Sequence, residues 1–197
     1  MPRKKSGKKA AQTFDAKLDQ IQRSLVEINA SNLSDQTRTW AYEAAIIKTA
    51  VAFEHLMLEC IVTAINNDTS TVSASTGVAF PKHLTDEVCE FLVTAGGYFD
   101  FRGRSGLTQK IRGFVPPNHW LLTVVKKQAY KDPLDRIVAL RNFAAHESEA
   151  SKKVVLNALG LQKISSAGAW AKRQRRLERL VAQLRKMGSD IEASAPY

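Results

Sequence analysis

One stretch of the chain constrains its fold more than any other, and it reads DPLDRIVALRNFAAHES over residues 132–148. Aspartate is a preferred N-cap residue and proline is favoured at the first helical position, so Asp132 and Pro133 predict the start of a helix. Apolar side chains then recur at helical spacing, at Leu134, Ile137, Val138, Leu140 and Ala144. We therefore expect Arg141 and His146 to lie on this helix or at its end.

Helical periodicity dominates the rest of the chain. Apolar residues at spacings of three and four predict helices over 13–29, 85–94 and 168–187, and a helix or helix pair over 107–127. They also predict a longer helix that runs from the capping segment 31–35 to residue 65. The helix or helix pair over 107–127 is broken by two prolines at 116–117. Residues 66–76 are rich in Ser, Thr, Asn and Asp, which predicts a loop. Because no alternating strand pattern of useful length occurs, the predicted class is all-α.

The longest predicted helix carries a carboxylate inside an apolar pattern. Its expected core stripe consists of Trp40, Ala44, Ile47, Val51, Leu58, Val62 and Ile65. Glu54 interrupts this stripe, and burying an unpaired carboxylate is costly. Glu54 is therefore expected either to be paired or to line a polar cleft; the alternative is a position at the helix edge, facing water.

We divide the chain into four parts. Residues 1–12 are expected to form a disordered basic tail, because they contain no large apolar residue after Met1. Residues 13–160 form a helical bundle, residues 161–190 form a basic amphipathic helix that packs on it, and residues 191–197 form a frayed tail. The basic residues of the first tail either tether polyanions or only aid solubility; they are Arg3, Lys4, Lys5, Lys8 and Lys9.

Composition favours a polyanionic partner and argues against a membrane span. The 197 residues include 29 Lys and Arg against 19 Asp and Glu, a formal charge of +10. No run approaches the roughly 18 apolar residues that a span needs, and residues 1–5 do not introduce a signal peptide. We expect a cytoplasmic protein. Its two cysteines, Cys60 and Cys89, lie in apolar helical patterns and are predicted to be buried thiols.

Two segments are candidate RNA-binding surfaces. Residues 96–106 place Arg102 and Arg104 after Tyr98, Phe99 and Phe101, a mixture that suits base stacking and phosphate contact. The alternative is that the aromatic rings anchor this loop on the core. The helix over 168–187 has a basic face that either binds polyanions or is merely solvated; it comprises Lys172, Arg173, Arg175, Arg176, Arg179, Arg185 and Lys186, beside Glu178.

Arg141 and His146 together suit phosphate chemistry. A guanidinium offers a planar fork of donors that matches phosphate, and an imidazole both accepts and donates a proton near neutral pH. Asn142 could hold the same phosphate. On an ideal helix His146 lies about 140° around from Arg141. Either the helix distorts near Ala145, or two copies of the chain contribute to one cleft.

RNA cleavage needs little more than these groups. The ribose 2′-hydroxyl already lies next to the phosphorus that it attacks, so a base, an acid and charge stabilisation suffice. The chain lacks a phosphate-binding loop, a paired-histidine metal motif and a nucleophile elbow, so we expect no cofactor and no metal. The structural alternative is that Arg141 pairs with Glu147 or Glu149 and that His146 caps a helix end.

The segment from Leu140 to Ser148 resembles the signature of HEPN domains, in which Arg and a polar residue precede His by a short spacer. The resemblance implies a small helical bundle, commonly a homodimer, and in many members a metal-independent endoribonuclease of RNA-processing and defence systems. It implies that Arg141 and His146 are catalytic, that Asn142 is the polar residue after the arginine, and that Glu54 is the acidic residue from an earlier helix. Ser148 stands where one toxin subgroup has a tyrosine that a partner enzyme modifies.

The leading hypothesis is a ribonuclease that acts as a toxin or an anti-phage effector, with RNA and an antitoxin or other defence protein as partners. The alternative is a HEPN-like module without catalytic activity that dimerises and binds nucleic acid or protein.

Overall fold

The computed structural model describes residues 5–196, and all regular structure within that range is helical, which confirms the predicted all-α class. The first five helices are α1 (Gly7–Ala30), α2 (Asp35–Asn67), α3 (Ser70–Thr76), α4 (Asp86–Thr94) and α5 (Gly103–Arg112). The others are α6 (Trp120–Val125), α7 (Lys131–His146), α8 (Glu149–Leu159), α9 (Ala167–Ala171) and α10 (Arg176–Ser194). Short 3₁₀ turns at Gln128–Tyr130 and Arg173–Arg175 precede α7 and α10.

Helix α2 is the centre of the bundle. It packs against α1, α4, α7 and α9, while α10 packs mainly on α1. Ile46, Phe53 and Ile61 on α2 are completely buried. The ring of Phe53 packs edge-on against the rings of Phe14 and Phe101, with 5.8 Å and 6.0 Å between ring centroids. Helices α1 and α2 and the loop before α5 therefore share one core.

The predicted core stripe of α2 is wrong in its first half. Trp40 is 60 % exposed, Val51 is 40 % exposed and Ala44 is also exposed, whereas Ile46 and Ala50 face the core. The prediction holds for the second half, where α2 is surrounded and Leu58, Val62 and Ile65 are buried. Apolar residues occur on more than one side of α2, so periodicity alone could not decide which side its neighbours cover.

The N-terminal tail is shorter than predicted. Helix α1 begins at Gly7 instead of residue 13, and the hydroxyl of Ser6 accepts a hydrogen bond from the Lys9 N–H at the helix start. Gly7 lies so close to the far end of the chain that a Cβ atom there would stand 3.1 Å from the Cβ of Ala195. Lys5 forms an ion pair with Glu59 at 2.6 Å. Residues 5–12 are therefore ordered by tertiary contacts; residues 1–4 of the predicted tail lie outside the described residues.

The helix predicted over 168–187 is two helices. Gln174 and Arg175 have φ values of 53° and 54°, in the left-handed region, and they separate α9 from α10. Helix α10 then runs to Ser194, and both Ile191 and Ala195 are buried. The predicted fraying from residue 191 is wrong up to residue 196, because this segment packs on α1; Tyr197 lies outside the described residues.

Three smaller features also differ from the prediction. Part of the loop predicted over 66–76 is helix α3, which Val72 anchors in the core. Helix α7 starts at Lys131, so Asp132 lies in its first turn and is not its N-cap. Helix α8 was not predicted as a separate element. Ser148 begins it with a capping box, accepting the Ser151 N–H at 3.2 Å.

One polar cluster connects α10 to the start of α7, and we call it the Asp190 cluster. The carboxylate of Asp190 accepts hydrogen bonds from Lys127 Nζ and from the Tyr130 hydroxyl, each at 2.6 Å. The bonds from Lys127 and then Tyr130 hold the pKa of Asp190 below its ordinary value. Burial raises the pKa of the Tyr130 hydroxyl, and the neighbouring carboxylate raises it further.

Candidate functional site

The site contains an ion pair between the two central helices. Glu54 on α2 accepts a hydrogen bond from Arg141 on α7, with 2.5 Å between Oε1 and Nη2. The two side chains are only 16 % and 26 % exposed. Asn142 Oδ1 accepts a second bond from Arg141 Nη1 at 2.9 Å. Glu54 is therefore paired, as its place in an apolar pattern suggested, and its partner is Arg141.

These contacts hold the guanidinium in place without exhausting its donors. An arginine has five N–H groups, and the contacts with Glu54 and Asn142 use one each. The alternative pairing of Arg141 with Glu147 or Glu149 does not occur; Glu149 pairs with Lys152 at 3.5 Å instead. Arg141 can therefore still donate N–H groups to an anion while Glu54 and Asn142 fix the position of its guanidinium.

Burial and the ion pair act on Glu54 in opposite directions. Removal from water raises the pKa of its carboxyl above the ordinary value, and the hydrogen bond and charge of Arg141 oppose that rise. The negative charge of Asp100, in the loop before α5, raises the pKa further. The net direction is upward, so the fold disfavours the ionised form of this carboxyl despite its cationic partner.

His146 is the last residue of α7, and its side chain is exposed. Within residues 5–196 its ring has no hydrogen-bond or ion-pair partner, so it does not cap the helix. The helix is ended by Glu147, which has a φ of 46° and donates its N–H to the Phe143 carbonyl at 3.0 Å. The imidazole is consequently accessible to water and to a ligand.

Arg141 and His146 do not converge within one chain. Helix α7 is regular through Ala145, so the first of the two alternatives, a distortion of the helix near that residue, does not occur. Helix geometry then places the two Cα atoms about 9 Å apart, with the side chains pointing about 140° apart around the axis. One phosphate can therefore contact an arginine and a histidine of this kind only if a second copy of the chain supplies one of the two side chains.

The segment predicted as a loop over 96–106 is a loop only as far as Arg102, because α5 begins at Gly103. Two aromatic rings anchor this loop. Phe99 and Phe101 are buried, whereas Tyr98 is 97 % exposed. The anchoring alternative is therefore confirmed for the two phenylalanines. Arg104 is also committed to the fold, since it donates to the carbonyl of Lys126 at 3.1 Å. Arg102 and Tyr98 remain exposed on this loop.

The basic face around α9 and α10 is only partly available. Lys172 binds the Asp35 carboxylate at 2.6 Å and the Thr39 hydroxyl at 2.7 Å. Arg176 stacks over Trp170, with 5.4 Å from its guanidinium carbon to the ring centre. Arg179 donates to the Gln174 carbonyl.

Salt bridges also occupy Arg185. It binds Asp15 and Asp19 on α1, so it joins α10 to α1 and does not form part of an open basic surface. Arg173 and Arg175 are the exposed arginines at the kink, and they form no ion pair within residues 5–196. These two offer accessible positive charge on the predicted face.

Sequence reasoning missed Glu43. This carboxylate is 9 % exposed and accepts the Gly168 N–H at 3.2 Å, which fastens α9 to α2. It also lines a cavity of about 220 Å³ beside Phe143 and Glu147, at the end of α7. Glu43 lies eleven residues before Glu54, three turns along the same face of α2. That spacing of two carboxylates was the signal that could have revealed it.

The chain matches no family model, no curated protein and no solved structure. The part of the chain that the structure describes contains no group of three or more His, Cys, Asp or Glu that could hold a metal ion. Nor does any helix of residues 5–196 combine the length and the apolar character that a membrane crossing requires.

Proposed function

We propose that this protein is a metal-independent endoribonuclease that cleaves RNA by attack of a ribose 2′-hydroxyl on the adjacent phosphorus. One observation carries the proposal. Glu54 and Asn142 hold Arg141 in place, and its guanidinium keeps N–H groups that neither of them uses. Five residues further along the same helix, His146 is exposed and has no partner within residues 5–196.

Each side chain has a distinct role in this mechanism. His146 takes the proton from the 2′-hydroxyl or gives one to the departing 5′-oxygen, which is worth about 10²- to 10⁴-fold in rate. The products are a 2′,3′-cyclic phosphate and a 5′-hydroxyl. The free N–H groups of Arg141 bind the non-bridging oxygens as negative charge grows on them. Asn142 and Glu54 contact the guanidinium, so we propose that they position it and do not touch the RNA.

The separation of Arg141 from His146 favours a homodimer. If a second copy brings its own α7 terminus to the first, the arginine of one chain and the histidine of the other can reach the same phosphate. The resemblance to HEPN domains supports the same arrangement. Arg102, Arg173 and Arg175 are the exposed cations that we propose contact the flanking RNA backbone.

An unrestrained ribonuclease would damage the RNA of its own cell. We therefore propose a toxin or anti-phage effector that acts in the cytoplasm and is restrained by an antitoxin or another protein of a defence system.

A second candidate function is a binding module without catalytic activity. The observation that favours it is the ion pair itself, because Glu54 already neutralises part of the Arg141 charge and a phosphate has to compete for it. A module of this kind would keep its RNA affinity in the His146→Ala variant and would produce no new RNA ends.

The test compares purified wild type, His146→Ala and His83→Ala on mixed cellular RNA in excess chelator, with the fragment ends mapped. His83 is an exposed histidine near the C-terminal end of α2, where its ring nitrogen lies 3.0 Å from the Asn66 carbonyl oxygen. His83→Ala is therefore the matched control. The proposal expects cyclic phosphate ends from wild type and His83→Ala only. Equal cleavage by His146→Ala would refute the mechanism, and binding without cleavage by all three would favour the module.

A further inference from the structure

A long groove runs between α1 and α2, away from the Arg141 and His146 pair. It has a volume of about 1550 Å³ and extends from Lys5 and Glu59 at one end to Ile28 and Ala41 at the other. The 24 residues from Lys5 to Ile28 span about 35 Å along a helix. The mean cross-section of the groove is then about 45 Å², roughly half that of a helix about 10 Å across. The groove therefore has the dimensions of a cradle for one α-helix.

The floor and walls of the groove are largely apolar. Phe14, Ile21 and Leu25 of α1 and Leu56 of α2 form its base, and Val51 stands on its wall with 40 % of its surface exposed. Half of the lining residues are apolar. The wall on α2 includes part of the stripe that the sequence predicted to be in the core, and no element of residues 5–196 covers it. The accessible apolar surface of the groove comes from the exposed Ala44 and Val51 and the half-buried Ile28, Ile47 and Ala52. A contiguous exposed apolar patch of this kind marks a protein-binding site.

The charge along the groove is almost entirely positive. Five of its lining residues are lysines, whereas Glu59 is its only acidic lining residue within the described part of the chain, and that carboxylate is already paired with Lys5. Lys8, Lys9 and Lys48 are exposed and have no acidic partner within residues 5–196. Asp15 and Asp19, the nearby acids of α1, are turned to Arg185 on α10. A ligand that fits must therefore bring negative charge to both sides of an apolar strip.

This charge pattern disfavours a second copy of the same chain as the occupant. In a two-fold contact through this face, the lysines of one copy would meet the lysines of the other, and like charges across an interface are repulsive. The chain as a whole also carries an excess of positive charge. The complementary ligand is an amphipathic helix with aliphatic side chains on one face and carboxylates beside them.

We infer that the α1–α2 groove binds an acidic amphipathic α-helix of a partner protein. The inference is independent of the proposed ribonuclease activity, because it uses neither Arg141 nor His146. The helix lays its aliphatic face on Val51, Ile47 and Ile28, which line the groove and are not fully buried. Its carboxylates reach Lys48 on one side and Lys8 and Lys9 on the other.

The test uses two synthetic fluorescent 22-residue helices with the same leucine stripe. One has glutamate and the other lysine at every polar position, and each is titrated with the full-length protein. The glutamate helix should bind at least tenfold more tightly than the lysine helix, and its affinity should fall as salt is added. Lys48→Glu should weaken the glutamate helix by about tenfold, the size of one close charge pair at an interface. Comparable binding of both peptides, or of neither, would overturn the inference.

Matched variants assign the binding to the groove. Val51→Asp should weaken the glutamate helix at least tenfold, whereas Val26→Asp should change its affinity by less than twofold, because Val26 is 69 % exposed on α1 but does not line the groove. Circular dichroism checks the fold of both variants, and the exposed Lys48→Glu variant provides the same test without a change in the apolar wall. Equal losses in Val26→Asp and Val51→Asp would overturn the assignment.

Two other occupants have their own signatures. If sedimentation shows wild-type self-association that Val51→Asp abolishes, the groove belongs to a second copy and the inference fails. If a 20-nucleotide RNA displaces the glutamate helix and loses its own affinity equally in Lys48→Glu, the lysines serve nucleic acid and the inference fails as well.

Discussion

The ion pair between Glu54 and Arg141 should respond asymmetrically to removal of its two partners. Two unit charges about 4 Å apart attract by about 4 kcal/mol at an effective dielectric constant of 20. The loss of hydration opposes this attraction, and for Glu54 it outweighs it, because the pKa of the carboxyl is raised. Glu54→Gln keeps the shape and the acceptor oxygen, so its free energy of unfolding at pH 7 should lie within about 0.5 kcal/mol of wild type or above it.

Arg141→Met should be much more harmful, because it leaves the largely buried Glu54 carboxylate without a partner. We expect a loss of about 2 kcal/mol, below the 3–5 kcal/mol of fully buried pairs because both side chains keep some contact with water. In the Glu54→Gln background the same change should cost only about 1 kcal/mol, so the coupling energy is about 1 kcal/mol. For a chain of this size a loss of about 2 kcal/mol lowers the melting temperature by about 4–8 °C.

Urea denaturation of the four proteins in this cycle measures these values, with His146→Ala as a control that should stay within about 0.5 kcal/mol of wild type. The pH dependence gives an independent check. A carboxyl whose pKa is raised by folding contributes stability below its ordinary value of 4.5, and that contribution is lost as the pH rises through the raised value. Glu54→Gln should therefore gain on wild type as the pH rises. A coupling energy near zero, or a loss above about 1.5 kcal/mol in Glu54→Gln at pH 7, would refute this reasoning.

Three further outcomes are expected. In urea denaturation, Gly168→Ala should lower the free energy of unfolding by about 3 kcal/mol, because its new Cβ atom would stand 2.1 Å from a backbone oxygen of α2. Gly160 has a φ of 65° and open space around it, so Gly160→Ala should lower the free energy of unfolding by only about 1 kcal/mol. Similar losses in the two variants would argue against the close packing of α9 on α2. Asp190→Asn should cost about 1 kcal/mol at pH 7 by weakening the hydrogen bonds of the Asp190 cluster. Because those bonds lower the pKa of the carboxyl, this cost should shrink as the pH falls from its ordinary value of 3.8 through the lowered value in the folded protein. A cost that does not change over that range would contradict the assignment. In filter binding, Arg173→Ala should weaken RNA affinity and reduce its salt dependence by about one phosphate contact, because Arg173 is exposed and unpaired within residues 5–196. Lys172→Ala should mainly lower the melting temperature, because Lys172 is paired with Asp35. The reverse result would disprove that Arg173 is available to RNA and Lys172 is not.

Sequence alone predicted much of the secondary structure and the type of side chains at the candidate site. Periodicity located α4 to within one residue at each end and the end of α2 to within two residues, because a buried helix face must repeat every three to four positions. It also singled out Glu54 as a carboxylate that needs a partner. Arg141 and His146 stood out because few structural roles require both of them so close together.

The tertiary structure decided what each of these groups does. Glu54 lies 87 residues from Arg141 in the sequence, and nothing local shows that α2 and α7 place them in contact. The same holds for Lys172 and Arg185, whose charges are taken up by carboxylates on distant helices, and for the exposed half of the α2 stripe. A periodic pattern states that a face is apolar, but only the positions of neighbouring helices determine whether that face is covered and which charges remain free.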